Sequence, residues 1–166
     1  MPVKPILRLG DPALYQTCEP VDERDHADLK LVVHDLHDTM MAFRAQHGCG
    51  RAIAAPQIGV PKRLVYMHID RPVAFINPVF EFISDAMIEL WDDCMSFPDL
   101  LVKVRRHKTC RIAFRDENWA QRHMDLEDDL SELLQHEIDH LDGILAVQRA
   151  IDGRAFALKS QRQCLD

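Results

Sequence analysis

Apolar residues recur at two different periods along this chain, and the change of period separates helical from extended segments. Between residues 27 and 46 they recur every three or four positions, which predicts an amphipathic helix ending near Gly48 and Gly50. Residues 6–22 precede this helix. Because prolines interrupt them, we interpret them as an extended arm.

The middle of the chain consists of short β-branched or aromatic runs separated by Pro, Asp and Asn, a pattern typical of antiparallel sheet. The predicted strands are residues 63–69, 73–76, 79–83, 87–91, 101–104 and 111–114. A second helix is predicted at residues 125–141, with acidic residues in its first turn and Asp142-Gly143 as its C-terminal cap. A short third helix is predicted at residues 152–161. The length predicts a single domain, residues 1–166.

Composition narrows the possible partners and compartments. A formal net charge of −7 argues against nucleic acid or an anionic membrane as the main partner. The first ten residues lack the apolar segment of a signal peptide, and no run approaches the roughly 18 apolar residues of a transmembrane helix. Five widely spaced cysteines favour free thiols or a metal ligand over disulfides. We therefore expect a cytoplasmic protein without membrane segments, or an organellar one if a targeting peptide has been removed.

The strongest local motif is the segment His136-Glu137-Ile138-Asp139-His140. Residues four apart lie on one face of a helix, so both imidazoles can reach one metal ion, and Glu137 can reach a water molecule beside it. The alternative is an exposed helix with two accidental histidines. The apolar stripe of the predicted helix favours the metal site.

A catalytic metal site usually needs a third protein ligand. No glutamate follows Glu137, and the position at which metzincins carry a third histidine is occupied here by Ala146. The third ligand is therefore expected upstream, and Cys94, between predicted strands, is the best candidate. Taken alone, such a cysteine would more often be a small buried hydrophobic residue.

Three short segments, in this order, carry a family resemblance. They are Gly-Arg-Ala-Ile-Ala-Ala-Pro-Gln at residues 50–57, Asp-Asp-Cys-Met-Ser at residues 92–96, and Gln-His-Glu-Ile-Asp-His at residues 135–140. They resemble the motifs Gly-x-Gly-Leu-Ala-Ala-x-Gln, Glu-Gly-Cys-Leu-Ser and Gln-His-Glu-x-Asp-His of the peptide deformylases. The resemblance extends over almost the whole chain. It implies an α+β fold in which antiparallel β-sheets pack around a central helix that carries the two metal histidines.

By matching positions, the resemblance implies that Cys94, His136 and His140 hold one divalent metal ion. It implies Fe²⁺ as the native ion, with Zn²⁺ as the alternative; one thiolate and two imidazoles suit both. Glu137 is implied as the general acid–base. The implied reaction is hydrolysis that removes the N-terminal formyl group from formyl-methionyl peptides of newly made proteins. Nascent chains at the ribosome are the expected partners.

The resemblance also implies the residues that contact the substrate. Gln57 and the backbone N–H of Met95 would bind the formyl oxygen, where negative charge develops during hydrolysis. The remaining substrate-binding candidates, which belong to the same two motifs, are Gly50, Ala52, Ile53 and Asp93.

Several positions depart from the family motifs. Ala52 replaces the second glycine of the first motif, and Asp92-Asp93 replaces Glu-Gly beside the cysteine. Asp93 is expected to narrow the cleft or to repel an acidic substrate, and Asp92 is expected to form an ion pair, for which Arg106 is a candidate. Leu101 stands where the family carries an arginine.

Two alternatives to a formyl-methionyl deformylase stay open at this point. One is a divergent amidase of the same kind that acts on another N-formyl or N-acyl substrate, motivated by the departures beside Cys94. The other is a non-catalytic metal-binding or peptide-binding protein. The second alternative is disfavoured because Glu137 and Gln57 are both present, and binding alone requires neither.

Overall fold

The computed structural model describes residues 3–165, in which two antiparallel sheets and two α-helices form the fold. The helices are α1 (His26–His47) and α2 (Asp128–Leu141). The strands are β1 (Ala52–Ala54), β2 (Leu64–His68), β3 (Pro72–Ile83), β4 (Met87–Asp93), β5 (Leu100–His107), β6 (Thr109–Arg115), β7 (Gln121–Glu127) and β8 (Phe156–Leu158). One sheet has the order β1-β2-β3-β6-β7 and the other the order β4-β5-β8.

Helix α1 confirms the first predicted helix and covers one face of the larger sheet. The side chains of Leu36 and Met40 are fully buried against residues of β1 and β2. The helix ends at Gly48, which adopts a left-handed conformation with φ of 70°. Such a conformation is accessible to glycine at little cost, and it closes the helix as the sequence predicts.

Strand β3 joins two predicted strands into one. The pairing of β3 with β6 shifts register between Ile76 and Val79, because Pro78 has no N–H to donate to the ladder. At this irregularity Asn77 has a φ of 51°, and its side chain bonds both the N–H and the carbonyl of Val21 at 2.8 and 2.9 Å. This pair of bonds fixes the end of the N-terminal arm to the sheet.

Helix α2 begins three residues later than predicted, because residues 121–127 form β7. Met124 and Leu126 alternate with exposed polar residues in this strand, so the acidic residues assigned to the first helical turn belong partly to a strand. Asp125 lies opposite Arg111 of β6 and forms an ion pair with it at 2.7 Å. The change of direction into α2 occurs at Asp128, whose φ is 51°.

The prediction of a third helix at residues 152–161 is wrong. In its place, β8 pairs with β5, and a 3-10 turn follows at Lys159–Cys164. Backbone pairing with an open strand edge therefore determined the conformation of this segment. The predicted extended arm is confirmed apart from a 3-10 turn at Pro12–Tyr15. No helix among residues 3–165 combines the length and apolar character that crossing a membrane requires.

Helix α2 lies in the interior between the two sheets. Leu134, Ile138 and Leu141 pack into the core of the larger sheet, while His136 and His140 are buried on the opposite side, towards β4 and β5. The predicted α+β fold, with antiparallel sheets around a central helix, is confirmed. His136 and His140 therefore belong to a buried polar region, and this region contains the candidate site.

Candidate metal centre

The side chains of Cys94, His136 and His140 converge at one buried point. Cys94 directly follows β4, and its Sγ lies 3.3 Å from His140 Nε2. The Nε2 atoms of the two histidines, one helical turn apart on α2, are 3.2 Å from each other. The helix thus presents two imidazole nitrogens to a thiol that the neighbouring sheet supplies.

This arrangement fits a divalent metal ion. Metal–ligand bonds of roughly 2.0–2.3 Å at tetrahedral angles separate the ligand atoms by about 3.3–3.6 Å, close to the distances found here. The three atoms belong to the donor types that Zn²⁺ and Fe²⁺ accept in proteins. Beside them, Oε2 of the buried Glu137 has no hydrogen-bond partner among the described residues. The site can therefore hold one ion and present an adjacent carboxylate to a reactant.

Asp92 orients the first histidine. Its Oδ2 lies 2.8 Å from His136 Nδ1 and 3.5 Å from Arg106 Nη2, which confirms the ion pair expected for Asp92 and Arg106. Although burial acts in the opposite direction, His136 and Arg106 hold the pKa of Asp92 below its ordinary value. An ionised Asp92 accepts a hydrogen bond from the Nδ1–H of His136, which keeps the proton on Nδ1 and leaves Nε2 free to bind a metal, the usual role of a carboxylate behind a ligand histidine.

Glu137 is a candidate general base because its burial changes the pKa of its carboxyl group. The side chain is almost completely enclosed, and burial raises the pKa of Glu137 to about 7; nearby Asp92 acts in the same direction, while His136 and Arg51 lower it. A carboxyl group with a pKa near neutrality can both take up and release a proton at physiological pH.

The side chain of Gln57 also reaches the candidate metal centre, from the turn that follows β1. It lies in the 3-10 turn Ala55–Ile58, where its Oε1 accepts a hydrogen bond from Ala54 N at 2.9 Å. This bond aims the amide nitrogen inward, so that Nε2 lies 3.2 Å from Ser96 Oγ and 3.6 Å from Cys94 Sγ. An N–H donor is therefore held beside the cysteine.

The other residues of the first motif differ in where they lie. Gly50, with a φ of 121°, and Ala52 line the cleft, whereas Ile53 is fully buried and packs in the core beside α1. A Cβ at residue 50 would lie 3.0 Å from Met95 Cε, so Gly50 allows this side chain to pack against the loop. The structure brings Gly50, Ala52 and Met95 together and leaves the Ile53 side chain outside the cleft.

The converging side chains open into a cleft of about 730 Å³. Asp93 lies on its wall, but its carboxylate forms an ion pair with Lys159 at 3.2 Å. Lys159 belongs to the final 3-10 turn, and its ammonium group also lies 3.0 Å from Cys49 Sγ. The charge that the sequence places beside Cys94 is thus partly balanced by a cation that sequence reasoning did not consider.

Sequence reasoning also missed Glu132, which lines the cleft one turn before His136. It is only 4% exposed, and burial raises the pKa of Glu132 to about 8, with the neighbouring Asp92 adding to this effect. The available signal was its spacing of four residues from His136, which places both side chains on the same face of a helix.

Comparison with known proteins places the chain in a family. Residues 3–155 match the family model described as polypeptide deformylase. Peptide deformylase 2 of Ralstonia nicotianae is 34% identical over 165 residues, covering 93% of this chain and 90% of the relative.

Solved structures give the same result. The peptide deformylase of Thermotoga maritima is 29% identical, with a TM-score of 0.84 over 92% of this chain and 100% of that chain. A Met-Ala-Ser-bound class I type b peptide deformylase from Acinetobacter baumannii is 25% identical, with a TM-score of 0.82 over 89% and 98% of the two chains. The chain therefore belongs to the peptide deformylase family, whose members are metal-dependent hydrolases.

Proposed function

We propose that Cys94, His136 and His140 hold one divalent metal ion at which the formyl amide of a formyl-methionyl peptide is hydrolysed. Membership of the peptide deformylase family supports this reaction and disfavours a protein that only binds metal or peptide. The observation that carries the assignment is the convergence of one thiol and two imidazoles with a buried, unpartnered Glu137 oxygen beside them.

The chain's own groups supply the remaining chemistry. A divalent ion at this site provides the Lewis acidity that makes water a nucleophile near neutral pH. Glu137 accepts a proton from the attacking water and transfers it to the leaving amine, so that formate and a free N-terminus are the products. Gln57 Nε2 and the backbone N–H of Met95 donate to the formyl oxygen as it gains negative charge.

The proposal is tested by measuring formate release from formyl-Met-Ala-Ser, with anaerobically purified protein loaded with Fe²⁺ and its metal content determined. Rapid release that requires the metal is expected. A protein that holds one ion per chain, yet releases no formate, would contradict the proposal.

We propose Fe²⁺ as the native metal. The donor set of one thiolate and two imidazoles accepts Fe²⁺ as well as Zn²⁺, so the ions are distinguished by their redox behaviour. The Fe²⁺-loaded protein is expected to lose activity in air while its fold, followed by circular dichroism, persists. Equal persistence of activity in air and under argon would argue against iron.

We also propose that nascent chains are the physiological substrates and that the protein acts in the cytoplasm. The relative from Acinetobacter baumannii was solved with a Met-Ala-Ser tripeptide bound, and here the cleft opens to the surface beside Lys159 and Arg162. Formylated peptides of increasing length should be hydrolysed with similar kcat/KM. A steep loss beyond the tripeptide would contradict nascent chains as substrates.

A further inference from the structure

The C-terminal 3-10 turn forms one wall of the cleft that contains the candidate metal centre. Lys159 and Arg162 of this turn line the cleft, and so does Leu165 directly after it. Because a 3-10 helix has three residues per turn, side chains three positions apart lie on the same face. The turn therefore presents one stripe of side chains to the cleft, and the first two members of the stripe are cations.

The other accessible charges that line the cleft form ion pairs with each other. Arg51 is paired with Asp129 at 2.6 Å, and Lys159 is paired with Asp93 at 3.2 Å. Asp93 alone would repel an acidic peptide, but the ammonium group of Lys159 offsets this charge. Neither pair therefore gives the cleft a net charge of either sign.

Arg162 is a cation of the cleft wall that has no such partner. Its side chain is exposed, and it forms no ion pair with any of the residues 3–165. A guanidinium group stays charged at every physiological pH, and its planar N–H donors match the geometry of a carboxylate. The cleft wall thus carries an unpaired positive charge, although the whole chain has a formal net charge of −7.

The position of Arg162 along the cleft relates it to one part of a bound peptide. Asp93 directly precedes Cys94, so the Lys159 pair lies beside the metal centre. Arg162 follows one turn later and is more exposed than Lys159, so it lies nearer the mouth of the cleft. A 3-10 helix rises about 2 Å per residue, which separates the two α-carbons by about 6 Å.

An extended peptide covers the same distance in about two residues, since each residue advances it by about 3.3 Å. When the formyl group lies at the metal, the first residue lies beside the metal centre. The third residue is then the part of the peptide that passes Arg162.

We propose that Arg162 is a specificity-determining residue and that the cleft prefers formyl-peptides with an acidic side chain at the third residue. A formylated N-terminus carries no charge, so the side chains of the peptide supply the charges to which Arg162 responds. The inference rests on the proposed function, because that function places the formyl group at the metal centre.

The test compares kcat/KM for the C-terminally amidated peptides formyl-Met-Ala-Glu-Ser and formyl-Met-Ala-Lys-Ser. The amide removes the terminal carboxylate, which could otherwise bind Arg162 itself. The wild type should prefer the glutamate peptide about tenfold, because an exposed ion pair changes an equilibrium by up to about fivefold and the lysine peptide is repelled in addition. Added salt should reduce this preference, because it screens exposed charges.

Substitutions of Arg162 identify the source of the preference. Arg162→Gln should lower the glutamate-to-lysine ratio by about threefold or more, mainly through KM, and Arg162→Lys, which keeps the charge, should retain most of it. Arg154→Gln is the matched control, because Arg154 is also exposed but does not line the cleft; it should leave the ratio unchanged. An equal ratio in the wild type and in Arg162→Gln would overturn the role of Arg162.

A binding measurement keeps the inference separate from turnover. Titration calorimetry of the Zn²⁺-loaded protein with amidated Met-Ala-Glu-Ser and Met-Ala-Lys-Ser should show about threefold or tighter binding of the first in the wild type, and a smaller difference in Arg162→Gln. Equal affinities of the wild type for both peptides would overturn the inference. Absence of formate release from every formyl-peptide, with metal bound, would instead overturn the proposed function, and the calorimetric result would still decide on Arg162.

Discussion

Glu137 combines burial with an unpartnered oxygen directly beside the candidate metal ligands. If it transfers the protons of hydrolysis, replacing it with glutamine preserves the volume of the side chain and removes the basic group. We expect Glu137→Gln to lower kcat for formate release by about 10²–10⁴, the usual contribution of a general base.

The metal content of the same variant distinguishes a base from a ligand. Glu137 is not among the proposed ligands, so metal analysis should find one ion per chain in both the variant and the wild type. Loss of the ion would show that the carboxylate coordinates the metal, and unchanged kcat would show that another group transfers the proton.

Cys18 provides a residue-level prediction away from the site. Burial raises the pKa of Cys18 to about 11 from an ordinary value near 9, although Arg63 opposes the shift. Between these two values the unfolded chain releases the thiol proton and the folded chain retains it. The contribution of Cys18 to stability is therefore complete below pH 9 and is lost as the pH rises towards 11.

Denaturant unfolding of the wild type and Cys18→Val, measured from pH 8 to 11, checks this prediction. The free energy of unfolding of the wild type should fall more steeply with pH than that of the variant. Parallel curves would mean that the thiol ionises equally in both states. Cys164, which is exposed, offers the matched control, and Cys164→Val should run parallel to the wild type.

At the level of single elements, the end of α2 depends on Gly143. Its φ is 72°, and a Cβ built there would lie 2.5 Å from the carbonyl oxygen of Tyr15 in the N-terminal arm. Gly143→Ala should therefore lower the free energy of unfolding by about 2 kcal/mol or more, since a left-handed conformation alone costs about 1–2 kcal/mol with a side chain. Thermal unfolding measures the effect.

Gly153 is the matched control for this substitution. Nothing lies within 4 Å of a Cβ built there, and its φ is outside the left-handed region, so Gly153→Ala should change stability little. A similar loss in both variants would contradict a specific role of Gly143 in joining α2 to the arm.

Local patterns predicted α1, most of the strands and the core of α2, because each of these elements repeats apolar residues at its own period. They failed at β7, where Met124 and Leu126 supply only two apolar positions beside a run of acidic residues that also suits a helix start. They failed at β8 because its conformation depends on pairing with β5, which is more than fifty residues away.

The residues of the candidate site also fall into those that the sequence predicted and those that it did not. The cysteine, the two histidines and their neighbouring glutamate belong to short motifs whose spacing has chemical meaning. Glu132 and Lys159 belong to no motif, and their importance depends on where the fold places them in the cleft. Burial and missing partners, which identify Glu132, are properties of the assembled structure.

Across the whole molecule, Arg106 connects the smaller sheet to the central helix. It lies on β5, is almost completely buried, donates to Asp139 of α2 and forms an ion pair with Asp92 of β4. Removing it leaves the buried Asp92 without its arginine and leaves Asp139 with only the more exposed Arg149. We expect Arg106→Met to lower the free energy of unfolding by about 3–5 kcal/mol, as for other broken buried ion pairs.

The neighbouring Arg105 is a control with the same chemistry on the surface. It forms an ion pair with Glu89 at 2.6 Å, but both side chains are exposed, so Arg105→Met should cost less than about 1 kcal/mol. Denaturant unfolding of the two variants compares them directly. Equal losses would mean that Arg106 contributes no more to stability than a surface charge.

The proposed metal ion would link two parts of the fold that are distant in sequence. Cys94 follows a strand of the smaller sheet, whereas His136 and His140 belong to the central helix, so all three ligands come together only in the folded chain. An ion that binds the folded state alone stabilises it by RT ln(1 + [L]/Kd), which is about 4 kcal/mol at a free concentration a thousand times Kd.

Removal of the metal by a chelator should therefore lower the Tm, and adding Zn²⁺ back should restore it. Cys94→Ser should lose most of this response, because a hydroxyl is a much weaker ligand than a thiolate. A Tm that chelation leaves unchanged, with loss of the metal verified by elemental analysis, would mean that the ion does not bind the folded chain in preference to the unfolded one.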